Sequence, residues 1–148
     1  MKKNGKVLVT SKDVADLGAP TFSAWVATGA FAKNNPEFLK SFAQVTEKYA
    51  YAFITQKSAW GADSENTKLL AQLLGGTPAN HAAALQNLSL ISLESQASEA
   101  WLGGGEKSGV AKILKETAGF LKEQKKISRV LPSYAAFVTP SVVASLKK

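Results

Sequence analysis

One histidine, no cysteine and a scatter of acids bound the chemistry this chain can do. A Ser/His/Asp relay would have to run through His81, which sits in an alanine-rich segment with no acid nearby in sequence to orient it. The expectation is an exposed helical histidine. A single histidine without cysteine leaves no donor set for a transition metal. Gly103-Gly104-Gly105-Glu106-Lys107-Ser108 has the outline of a phosphate loop, but Glu106 stands where the glycine before the lysine belongs, and no clear strand feeds it. It reads as a flexible connection into a helix at Gly109. Asp63, Ser64 and Glu65 do not make a catalytic carboxylate pair. No cofactor is expected, and nothing in the residue pattern argues for an enzyme.

Binding chemistry has a better candidate. Residues 21–28, Thr-Phe-Ser-Ala-Trp-Val-Ala-Thr, follow the punctuation Gly18-Ala19-Pro20, where glycine opens backbone angles and proline fixes its own φ. The run is the most strand-like in a chain otherwise written in helices. As a strand it would place Thr21, Ser23 and Trp25 on one face and Phe22, Ala24 and Val26 on the other. A polar-aromatic strand face in a helical chain suits a ligand. The competing reading is a core strand whose hydroxyls are satisfied by backbone neighbours.

The elements that would position these residues are mostly helical. Residues 6–10 read as a short strand, and Ser11 as the cap of a helical turn. Asn35-Pro36-Glu37 starts a helix with a capping side chain, a proline in the first turn and an acid at the positive dipole end. Along it Phe38, Phe42, Val45, Tyr49 and Phe53 form an apolar stripe, predicted to be buried. Ser64 caps a helix with Leu69, Leu70, Leu73 and Leu74 inward, closed by Gly75-Gly76. Thr77-Pro78 repeats the device. Residues 88–93 are an apolar run, strand or extended crossing, and 94–102 read as helix. Val110, Ile113, Leu114, Thr117 and Leu121 mark one face of a further helix. Thr139-Pro140 begins a last short one. Trp60 and Trp101 fall at breaks, as packing caps or cleft walls. Helices in this number with so few strands look like the covering of a sheet that is mostly absent.

With 148 residues the chain suffices for one ordinary domain with a core. No apolar run approaches the roughly 20 residues that span a bilayer, and Met1-Lys2-Lys3-Asn4-Gly5 has the basic character of a leader without an apolar stretch behind it. Of the net charge of +7, residues 106–148 supply +6, with nine basic residues against three acids. The lysines are scattered over helical positions and there is one arginine, Arg129, so nucleic acid is not an expected partner. A solvated helix face is the simplest account. The alternative is a helical interaction module that binds an acidic partner through this basic C-terminal third.

Several short signatures occur in one order: Gly5-Lys6-Val7-Leu8, Gly18-Ala19-Pro20-Thr21, Trp25-Val26, Phe31-Ala32 and Asn35-Pro36-Glu37. Asp63-Ser64-Glu65-Asn66, Gln96 with Trp101-Leu102-Gly103-Gly104, and Thr117-Ala118-Gly119-Phe120-Leu121-Lys122-Glu123-Gln124 follow. Leu131-Pro132-Ser133-Tyr134 and Phe137-Val138-Thr139-Pro140 end the series. Together they resemble the taurine-binding periplasmic proteins, the solute-binding subunits of ABC importers for taurine and related sulfonates. The resemblance implies an α/β, helix-rich fold: the C-terminal half of a two-lobe, type II-like periplasmic binding protein, completed by self-association. Residues 1–20 would be the remnant of the second lobe and the hinge, and 21–148 the helix-rich C-terminal part of the first lobe.

It further implies a periplasmic location, an ABC permease with its ATPase as partner, and a small sulfonate or related anion held at the hinge by Thr21, Phe22, Ser23 and Trp25. A homodimer through exposed lobe surface belongs to the same expectation. In the family pattern the position of Ser23 is commonly acidic and suits the ligand's ammonium group. A serine hydrogen-bonds an amine without supplying charge, which leaves room for an amine-free sulfonate or another small anion.

Overall fold

Local side-chain chemistry sets where each helix begins in the computed structural model, which describes residues 6–17 and 21–146. Two units divide the chain, Met1–Asn34 and Asn35–Lys148. In the first, the Thr10 hydroxyl accepts from the Asp13 amide while the Asp13 carboxylate accepts from the Thr10 amide, a reciprocal capping box. The cap of helix α1, Ser11–Asp16, is therefore Thr10, one residue before the expected Ser11. The Thr10 hydroxyl and amide hold the Asp13 carboxyl below its ordinary range. Helix α2, Gly29–Asn34, follows, with the Phe31 amide donating to the Thr28 hydroxyl at 3.2 Å.

The two expected strands are absent. Residues 6–10 and 21–28 have no regular secondary structure and are exposed, and no strand occurs among the described residues. A strand exists only through the N–H and C=O groups of a neighbour. Branched and aromatic residues favour a half-buried pleated surface; they do not create one. The α/β half of the expected fold class is thus not seen here, while its helical half is. Gly18, Ala19 and Pro20 lie outside the described residues, as does the expected boundary at residue 20.

The second unit opens with α3, Pro36–Thr55, 20 residues long with proline in its first turn and Glu37 at its positive end. The Asn35 side chain does not make the expected capping bond to this helix. A 3₁₀ turn over Lys57–Trp60 leads to Ser64, whose hydroxyl accepts from the Thr67 amide and starts α4, Glu65–Leu74. Gly75 and Gly76, at φ 76° and 81°, reverse the chain in backbone space closed to most side chains. Thr77 caps α5, Pro78–Leu85, which packs on α4. Residues 88–92 run without regular structure to Ser92, the cap of the short α6, Leu93–Gln96. The expected helix over 94–102 stops there. Ser108 caps α7, Gly109–Glu123, and α8, Ser141–Ala144, lies against α3 and α6.

The core is small. Phe53, Ala82, Val110, Ala111 and Ala118 are its buried apolar residues, with Thr67 and Ser108 wholly buried beside them. Of the α3 stripe only Phe53 is buried; Val45 and Tyr49 stay 57% and 62% exposed, and Phe38 and Phe42 stack on each other at 6.2 Å on the surface. Leu69, Leu73 and Leu74 on α4 are exposed too. An amphipathic stripe is buried only when another layer faces it, and no sheet supplies that layer among the described residues.

Candidate functional site

Thr21, Phe22, Ser23 and Trp25 fall within one irregular stretch of the first unit, brought together by sequence adjacency and not by a strand pleat. All four are exposed, Phe22 at 36% and Trp25 at 76%. Without a strand the alternation of faces does not apply. What the stretch offers is neutral chemistry: three hydroxyls, an indole and a phenyl ring, with no charged side chain between residues 21 and 28. Hydroxyls both donate and accept, so they fit an amine or an anionic oxygen equally.

The motifs set aside on sequence grounds turn out to be structural. The His81 Nε2 lies 2.7 Å from the Gly75 carbonyl, which only accepts, so Nε2 carries the proton and the ring closes the α4–α5 turn. It is half-buried, not the exposed histidine expected. The Gly103–Ser108 segment is not a loose connection either. Gly103 is buried, Gly104 has φ 83°, and a Cβ on Gly103 or Gly109 would run into the carbonyls of Ala97 or Ala100. Ser108 donates through Oγ to the Trp101 carbonyl at 2.5 Å and accepts from the Ala111 amide at 3.3 Å. The Gly109 and Val110 amides donate to the Glu99 and Trp101 carbonyls. Glu106, in the place a phosphate loop would give to glycine, accepts from the Ser133 hydroxyl. The Gly103, Lys107 and Ser108 amides likewise donate to the Ser98, Gly104 and Gly105 carbonyls.

A feature that sequence reasoning missed lies where α3, the Lys57–Trp60 turn and α5 meet. A half-open groove with a cavity volume of about 400 Å³ is lined by Phe53, Lys57, Trp60, Ala82, Ala83 and Gln86, among others. Phe53 and Trp60 meet edge to face, centroids 5.6 Å apart at 70°. The floor of the neighbouring turn is fixed by Thr67, whose Oγ1 donates to the Gly61 carbonyl at 2.7 Å, and by Asn66, whose amide donates to the Ala59 carbonyl at 2.9 Å. The signal was the tryptophan at a break between helices; the alanines that make room opposite it carry no signal at all.

Elsewhere in this unit burial pushes the Glu47 carboxyl on α3 up, with a Gln96 hydrogen bond pulling the other way. Lys112, Lys115, Lys122, Lys125, Lys126 and Arg129 of the basic third are exposed. Among the described residues no group of three metal-ligating side chains converges, and no helix is long and apolar enough to cross a membrane.

Comparison with known proteins yields an informative likeness. The chain is 33% identical over 143 residues to the taurine-binding periplasmic protein of Escherichia coli (strain K12), an alignment that covers 97% of this chain. It spans 43% of that relative's length. The resemblance expected from the short signatures is therefore present along nearly the whole chain. No protein-family model matches it.

Proposed function

We propose, from a likeness to the taurine-binding periplasmic protein that runs through 97% of the chain, that the chain acts in solute binding for an ABC-type importer of taurine or other small sulfonates. The likeness carries the reading. On it, the chain corresponds to the C-terminal half of a two-lobe receptor in the periplasm, and residues 21–25 face the ligand near the hinge. Thr21 and Ser23 contribute hydroxyls; Phe22 and Trp25 contribute apolar and indole surface. Ligand touching both lobes stabilises the closed form, and the permease with its ATPase reads that form. Ser23 in place of an acid removes a charge that an ammonium group would use, which favours sulfonates without an amine.

Thermal unfolding with excess taurine and with ethanesulfonate tests this. A ligand that binds only the folded chain raises the midpoint, by about 2.7 kcal/mol of stability at a hundredfold excess over Kd. Ethanesulfonate should raise it more than taurine, and Ser23→Asp should reverse that order. A cooperative melt that neither ligand moves overturns binding by this chain. The exposed cations at 112–129 are the observation behind a second reading, a helical module for an acidic partner. Steeply salt-dependent binding to a polyanion, with no response to sulfonates, would select it.

A further inference from the structure

We propose that the groove beside Trp60 is a second binding site, for a small aromatic monocarboxylate, built from none of residues 21–25 and independent of the receptor reading. Its volume of about 400 Å³ falls in the range of about 300–1,000 Å³ typical of small-molecule sites. Phe53 and Trp60 supply its aromatic part, and their edge-to-face contact holds the indole in a fixed pose. From α5 come Ala82 and Ala83, whose side chains are single methyl groups and take up little of the space. A flat apolar body is therefore what the space admits.

Charge selects the head group. The polar side chains on the lining are the Lys57 ammonium, the Trp60 indole N–H and the Gln86 amide, which can turn either its NH2 or its oxygen inward, and no Asp or Glu lines the groove. Lys57 forms no ion pair with a described residue; the two ion pairs recorded are Lys12–Asp16 and Lys68–Glu65. An ammonium on the lining of an apolar groove attracts an anion and rejects a cation. A carboxylate on a ring meets both conditions, apolar body against Trp60 and anionic oxygens toward Lys57 and Gln86.

Nitrogen-15 NMR of the full chain reads this directly, because its three tryptophans, Trp25, Trp60 and Trp101, give three indole N–H signals. Titration with benzoate should move the Trp60 signal to saturation and leave Trp25 still, while benzamide acts more weakly and benzylamine not at all. Lys57→Met should weaken benzoate about fivefold, the scale of one partly exposed ion pair, without changing benzamide. Ala83→Leu, which fills the groove from an exposed helix position, should abolish the Trp60 response to every probe. Circular dichroism verifies that both variants stay folded. The proposal is overturned if benzoate and benzylamine act alike, if Trp60 does not saturate, or if Ala83→Leu leaves its response intact. Movement of Trp25 with Trp60 still also overturns it and assigns benzoate to residues 21–25 instead. A sulfonate-independent melt, which would sink the receptor reading, leaves this test untouched.

Discussion

Glu47 is the residue whose ionisation the fold disfavours, since burial on α3 raises its carboxyl above the ordinary carboxylate range. A group with a raised folded pKa binds its proton more tightly when folded. Its contribution is fully present below the unfolded pKa and is lost as pH rises through the folded one. At neutral pH Glu47 is thus a net cost, and Glu47→Gln should raise the melting midpoint by a few degrees at most. Below about pH 4, where the carboxyl is protonated in both states, the variant and parent should melt together. A variant that is no more stable at neutral pH would place the Gln96 hydrogen bond above burial in importance. Ser108 and Thr67 show the opposite case, buried hydroxyls with partners at hand: Ser108 donates to the Trp101 carbonyl and accepts from the Ala111 amide, and Thr67 donates to the Gly61 carbonyl and lies 3.0 Å from the Ser64 hydroxyl.

Among the elements, α7 depends on the approach of its first residue to the backbone of 99–101, where the Gly109 amide donates to the Glu99 carbonyl at 2.9 Å. Gly109→Ala puts a methyl group into the Ala100 carbonyl, so despite alanine's better helix propensity it should destabilise by about 1–3 kcal/mol. Urea unfolding measures this, and a neutral or stabilising result would show that the turn yields. Helix starts were legible in the sequence because a cap acts within three residues: Ser64, Thr77 and the proline at 36 all stand where expected. The strands were not, because residues 6–10 and 21–28 carry strand-like side chains while the pairing partner lies in no neighbouring residue. The glycines of 103–109 misled for the same reason. Their purpose is set by carbonyls six to nine residues away, which composition reads only as flexibility. The groove was legible only as Trp60 at a break.

For the whole molecule the outstanding property is apolar surface on α3 and α4 in the Asn35–Lys148 unit. Apolar faces of this extent mark association surfaces. The chain should therefore self-associate with rising concentration in light scattering. Val45→Lys and Leu73→Lys, changes at positions 57% and 71% exposed, should weaken association without lowering the stability to urea by more than about 0.5 kcal/mol. A monodisperse monomer at every concentration would show that these faces stay solvated and would remove the homodimer from the receptor reading.

The hydrogen bonds that lock the turns also fix a timetable. Ser108 to Trp101 spans seven residues, Thr67 to Gly61 six, and His81 to Gly75 six. Closing loops of that length takes on the order of 10–100 ns, well before any long-range pairing. Each corner of the chain can thus form on its own, as soon as the few residues around it have left the ribosome. What remains is the stripe on α3, and as long as nothing covers it the finished helix carries the apolar surface from which aggregation starts.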